Sequence, residues 1–230
     1  MDSTARRGYV PGMSATQVPL PGMAAALIGV AALCVIAFEA SWLVVRHLNV
    51  MAHEGAHAVT ASLLLRKVDS IKLNSDATGE TSRAGGGTPG NIVIKFAGYV
   101  GPSLYGLGAA KLIESGHIAA VLWIALFLLA MLLLQLRMSF GIVTVILAGA
   151  LVFLVLRYTP ARDQVLAAYA IAWLLLLSGV RMVLEHGAGA GDARDLRGLT
   201  GIPRVIWFLL WLAGTLTAVA AGGKWLIMRS

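Results

Sequence analysis

Apolar residues along this chain gather in seven long runs, at roughly 23–45, 50–65, 90–113, 117–136, 140–157, 164–184 and 204–222. Most are close to the ~20 residues a helix needs to cross a bilayer. Short polar stretches divide them: Arg46-His47-Leu48-Asn49 between the first two, Arg137-Met138-Ser139 between the fourth and fifth, and Tyr158 to Asp163 before the sixth. One continuous helix from 27 to 62 would be about 54 Å long, well beyond a ~30 Å hydrocarbon core, so a tight turn at 46–49 is expected instead. Only one stretch lacks helical patterning. Val68-Asp69-Ser70-Ile71-Lys72-Leu73 tends to alternate, Asn74 to Gly79 carries turn residues, and Glu80 to Arg83 offers a return strand before the glycine-rich segment 84–90. The pattern predicts an all-α polytopic membrane protein of about seven transmembrane helices, with a small β-hairpin between the second and third (about 67–89). Residues 1–22, with five prolines and glycines after Arg7 and Gly8, read as a disordered cytoplasmic tail, and 23–230 as one membrane-embedded domain.

Composition agrees. The chain is 58% hydrophobic and 13% charged, about half the charge fraction of a soluble domain. A net charge of +7 would suit nucleic acid, but the basic residues are scattered at segment ends, which favours lipid headgroups and topology setting. No nucleic-acid partner is expected; the lipid bilayer is. With seven crossings, eleven Lys and Arg fall on the N-terminal side and six on the other, so the N-terminus is expected in the cytoplasm. The single Cys34 excludes an intrachain disulfide framework.

Against this apolar background stands His53-Glu54-Gly55-Ala56-His57. On a helix, positions i and i+4 share a face, so both imidazoles can hold a Zn²⁺ ion while Glu54 reaches a water beside it. Two histidines and a glutamate inside a membrane segment imply a task. A catalytic zinc takes three protein ligands and keeps one position open. The third must come from far away in the sequence, and the stretch Gly187 to Leu196 offers Asp192 and Asp195, with Asp192 favoured and Asp195 free to pair with Arg194, Arg197 or Arg204. Glu185 and His186 read as residues at a span end. Glu39 and Lys95 are charges inside spans, read as pairing with one another or with a polar lumen, or else as snorkelling or span-edge side chains. Gly98 and Gly101 read as packing residues or as openings for substrate backbone.

Taken in order, His53-Glu54-Gly55-Ala56-His57, the hairpin-like stretch, Ala97-Gly98-Tyr99-Val100-Gly101-Pro102 and Asp192-Ala193-Arg194-Asp195-Leu196 with Leu199 to Pro203 and Trp207 resemble the site-2 protease class of intramembrane metalloproteases, and more closely its small bacterial M50B-like branch. The chain departs from the larger class in lacking an asparagine shortly after Gly101-Pro102 and a Leu-Asp-Gly around the aspartate. The resemblance implies zinc held by His53, His57 and Asp192, Glu54 as general base, and a hairpin that takes an extended substrate by strand addition. It also implies a transmembrane protein substrate, locally unwound, and residence in a bacterial plasma membrane. The rival readings are a catalytically inactive binding or regulatory relative, and a metal transporter.

Overall fold

The computed structural model describes residues 17–76, 78–83, 88–137, 139–187, 189 and 191–228. Most of the expected tail and of the 84–90 segment lies outside them. The order is α1 (Gly22–Ala37), α2 (Glu39–Leu63), β1 (Val68–Leu73), β2 (Gly79–Arg83), α3 (Thr88–Glu114), α4 (Ile118–Leu133), α5 (Ser139–Tyr158), α6 (Ala161–His186), α7 (Gly191–Thr200) and α8 (Arg204–Ile227).

The expected turn at 46–49 is not there. Those residues lie inside α2, and the chain bends by 101° at Phe38, between α1 and α2. Phe38 is extended, with φ −79° and ψ 131°. Neither proline nor glycine makes this elbow; side chains from elsewhere answer the backbone groups it frees. The Arg181 guanidinium on α6 donates to the Ile36 carbonyl and to Glu39 Oε2, and the Ser41 hydroxyl donates to Val35 and Phe38 carbonyls. The 46–49 polar residues fit a helix because they find partners: Asn49 Nδ2 donates to Ser178 Oγ at 2.8 Å, and Arg46 Nη2 to the Asp76 carbonyl at 2.6 Å.

Length and apolarity by themselves account for fewer than the expected seven crossings. Among the described residues, three helices are long and apolar enough to span a membrane, Phe140–Tyr158, Ala161–His186 and Arg204–Ile227, or four if α1 and α2 count as one bent span. The chain is an integral membrane protein built on these. α4 has only 16 residues, about 24 Å of helix, and α3 carries Lys95 and Lys111.

α6 runs through the centre, where Ala168, Tyr169, Ala172, Trp173 and Leu176 meet α1, α3, α4 and α8 in the largest apolar cluster. Small residues let the helices close up. A Cβ on Gly106 of α3 would lie 2.6 Å from the Leu176 backbone nitrogen, and one on Gly101 would strike Ala56 Cβ on α2. Between α2 and α3, β1 pairs antiparallel with β2, from Val68 against Arg83 to Leu73 against Gly79. The other side of β1 is taken by the α4–α5 connection: Ile71 N–H donates to the Gln135 carbonyl (2.9 Å) and Arg137 N–H to the Ile71 carbonyl (3.1 Å). Ile71 and Leu73 bury against Val50, Met51, Leu132, Leu136 and Val145, so the sheet's inner face is part of the core. At the hairpin tip, the Thr78 hydroxyl bonds to Asp76 Oδ1 at 2.6 Å and holds that carboxyl below its ordinary pKa range.

Candidate metal centre

α2 places His53, Glu54 and His57 near its middle, all inside the protein at 9%, 3% and 4% exposure. With the elbow at Phe38 rather than at 46–49, His53 lies four turns into the helix instead of at its mouth. α7 delivers Asp192, also 9% exposed. The glycine-rich stretch before it is shorter than expected, because helix resumes at Gly191.

The structure brings His53, His57 and Asp192 together. His53 Nε2 and His57 Nε2 are 3.1 Å apart, and Asp192 Oδ2 lies 3.2 Å from the first and 3.1 Å from the second. Four-coordinate zinc with ligand bonds near 2.0–2.1 Å needs donor atoms ~3.3 Å apart. Three donors at these separations fit one such face. His57 Nδ1 is 2.7 Å from the Ile94 carbonyl oxygen, which only accepts, so the proton sits on Nδ1 and the Nε2 lone pair points to the centre. Buried donors converging in this way fit a cation.

Glu54 is beside them, its carboxylate within 4.8 Å of both histidine donors. The hairpin closes over it. Thr81 Oγ1 donates to Glu54 Oε2 at 2.6 Å, and a Cβ on Gly79 would fall 2.6 Å from Oε1. The groups face a cavity of about 500 Å³ lined by Arg46, Val50, Lys95, Tyr99, Met182 and Asp195 among others.

α3 forms the wall behind the site; the sequence offered Ala97 to Pro102 and Lys95 as notable, but not the contacts they make. A Cβ on Gly98 would come within 2.6 Å of His57 Nε2 and 2.8 Å of His53 Cε1, so Gly98 makes room for both rings. Tyr99 sits edge-on to the His53 ring, centroids 4.8 Å apart, and stacks on Trp211. Of the readings of Lys95 the polar interior holds: facing the cavity, it bonds Asp192 Oδ1 and Asp195 Oδ2, each at 2.8 Å, and not Glu39. Asp195 is thereby tied to Lys95 rather than to an arginine, and Glu39 to Arg181. Glu185 is occupied by Arg181 and the Trp42 indole N–H, while His186 is exposed. The available signal was a lysine in an apolar run, one helical turn before a glycine in the same face.

With this geometry in place, comparison with known proteins gives the family. The sequence matches the model of the Peptidase M50B-like family over residues 26–222. The chain belongs to that family of metal-dependent membrane peptidases. No curated protein and no solved structure matches it.

Proposed function

We propose that this protein is an intramembrane zinc metalloendopeptidase in which His53, His57 and Asp192 hold the metal and Glu54 is the general base. The observation that carries the reading is the convergence of two imidazole nitrogens and one carboxylate oxygen at 3.1–3.2 Å, with Glu54 beside them in a membrane protein of a peptidase family. A zinc ion there supplies Lewis acidity, polarising the scissile carbonyl and lowering the pKa of water toward ~7. Glu54 takes the proton from the attacking water and returns it to the departing amine. Thr81 keeps the Glu54 carboxylate turned to the cavity, and the Ile94 carbonyl keeps the His57 ring in the productive tautomer.

The substrate in this proposal is a transmembrane segment that has unwound locally, since a helical amide is shielded and hydrogen-bonded. β1 has neighbours on both sides, β2 and residues 135–137. Among the described residues no strand joins the outer edge of β2, the strand that carries Thr81 to Glu54. An extended substrate added there would lie along the catalytic carboxylate, with main-chain hydrogen bonds for affinity.

The test is zinc content of the detergent-purified protein, beside His57→Ala, Asp192→Ala and Asp195→Ala. Roughly one zinc per chain is expected in the parent, lost in His57→Ala and Asp192→Ala, and retained but bound less tightly in Asp195→Ala. A parent that takes up no zinc on reconstitution sinks the reading. Glu54→Gln then keeps zinc without cleavage and serves to trap substrates.

A further inference from the structure

The carboxylate of Asp192 is divided between two neighbours. Oδ2 faces both imidazoles, at 3.2 and 3.1 Å, while Oδ1 accepts from the Lys95 ammonium at 2.8 Å. Lys95 also bonds Asp195 Oδ2 at 2.8 Å, so one lysine on α3 grips two acids three residues apart on α7. Such pairs share a helix face. α7 has only ten residues, too few to be stable alone; it is docked by Ala193 and Leu196 in the apolar cluster with Trp207 and Trp211, and by this lysine.

We infer that Lys95 is a positioning residue for the metal: it holds Oδ1 of Asp192 aside, so that the aspartate binds through Oδ2 alone, and Asp195 balances the charge this requires. The inference rests on the metallopeptidase reading and deepens it. A carboxylate with no second partner can bind zinc through both oxygens, and that would fill the position a catalytic zinc keeps open. Partners of the ligands govern this choice, and their loss typically costs 10–100-fold in metal affinity. A lysine so near a dication would be unfavourable by itself. Asp195 resolves this: the two charges of zinc and the one of Lys95 are matched by the three carboxylates of Glu54, Asp192 and Asp195. A neutral set is what a weakly solvated site favours. Two aspartates on one short helix thus have two duties, one as ligand and one as counter-charge.

The experiment uses the full-length protein in detergent with zinc and cobalt(II) as probes, in the parent, Lys95→Met and Lys95→Arg. Zinc affinity is read by chelator competition, and cobalt coordination by visible absorption, which weakens as the coordination number rises above four. Lys95→Met is expected to weaken zinc by ~10–100-fold and to give the fainter spectrum of higher coordination, with Lys95→Arg restoring most of both. A lysine that merely staples α7 predicts a lower melting temperature with the parent's affinity and spectrum, and that result overturns the inference. If Lys95→Met does not fold, Lys95→Ala, which removes both donor and charge with the smallest apolar replacement, decides in the same way. A parent that binds neither metal fails the metallopeptidase reading itself, an outcome distinct from an unaltered lysine variant.

Discussion

Two charged clusters interrupt this apolar bundle, and they are built on opposite plans. At the α1–α2 elbow, Arg181 donates to Glu185, to Glu39 and to the Ile36 carbonyl, and lies 4.5 Å over the Trp42 ring, whose N–H closes the circle onto Glu185. Each charge there has its answer in the protein. At the centre, His53 Nε2, His57 Nε2 and Asp192 Oδ2 converge 3.1–3.2 Å apart, and the Lys95 ammonium sits on the far oxygen of Asp192. The first cluster is complete and holds a bend. The second is a set of converging ligand atoms that a cation would complete, and it is the one with Glu54 and a cavity beside it. Charge in a membrane is therefore diagnostic of chemistry only when the protein leaves it unmatched.

Substitutions can break this contrast, and the largest effect is expected at Gly98. Gly98→Val drives a branched side chain into both imidazoles and should remove zinc nearly completely, read by elemental analysis of the folded fraction. Next comes Glu54→Gln, which should lower peptide cleavage by ~10²–10⁴-fold while leaving zinc content at the parent's level. Loss of zinc with that change would show Glu54 to be a ligand instead. Arg181→Met attacks the other cluster. Thermal unfolding in detergent should show a cost of about 1–3 kcal/mol for its charged hydrogen bonds, with full zinc occupancy in the protein that remains folded. A fall in zinc there would mean the elbow and the centre are coupled. The smallest effect belongs to Thr81→Val, which removes one hydrogen bond to Glu54; about tenfold in kcat is expected, with KM and zinc affinity little changed.

Much of the centre was legible because its logic is local. His53 and His57 share a face by helical periodicity alone, and Glu54 follows from adjacency. Asp192 was a choice between two acids, and what decides between them is that Asp192 Oδ2 meets both histidines while Asp195 is paired with Lys95. The elbow was misplaced for a related reason. Polarity at 46–49 resembles a turn, yet Asn49 and Arg46 find partners from α6 and the hairpin tip, whereas Phe38 bends among apolar neighbours because Arg181, 143 residues further on, accepts the load of the freed carbonyl. The span count is not recovered by helix length and apolarity, since hydrophobic runs report burial in lipid and burial in protein alike.

By itself the sequence determined the membrane character, through the length and purity of its apolar runs, and the identity of the motif, through spacing on one helix. Tertiary structure alone decided where α2 begins, which aspartate faces the histidines, that Gly98 leaves room for them, and that Thr81 reaches Glu54. The division has a physical cause. Periodicity and hydropathy act between neighbours in the chain, whereas each of these decisions is a contact between residues more than 25 positions apart, and such contacts exist only once the helices have packed.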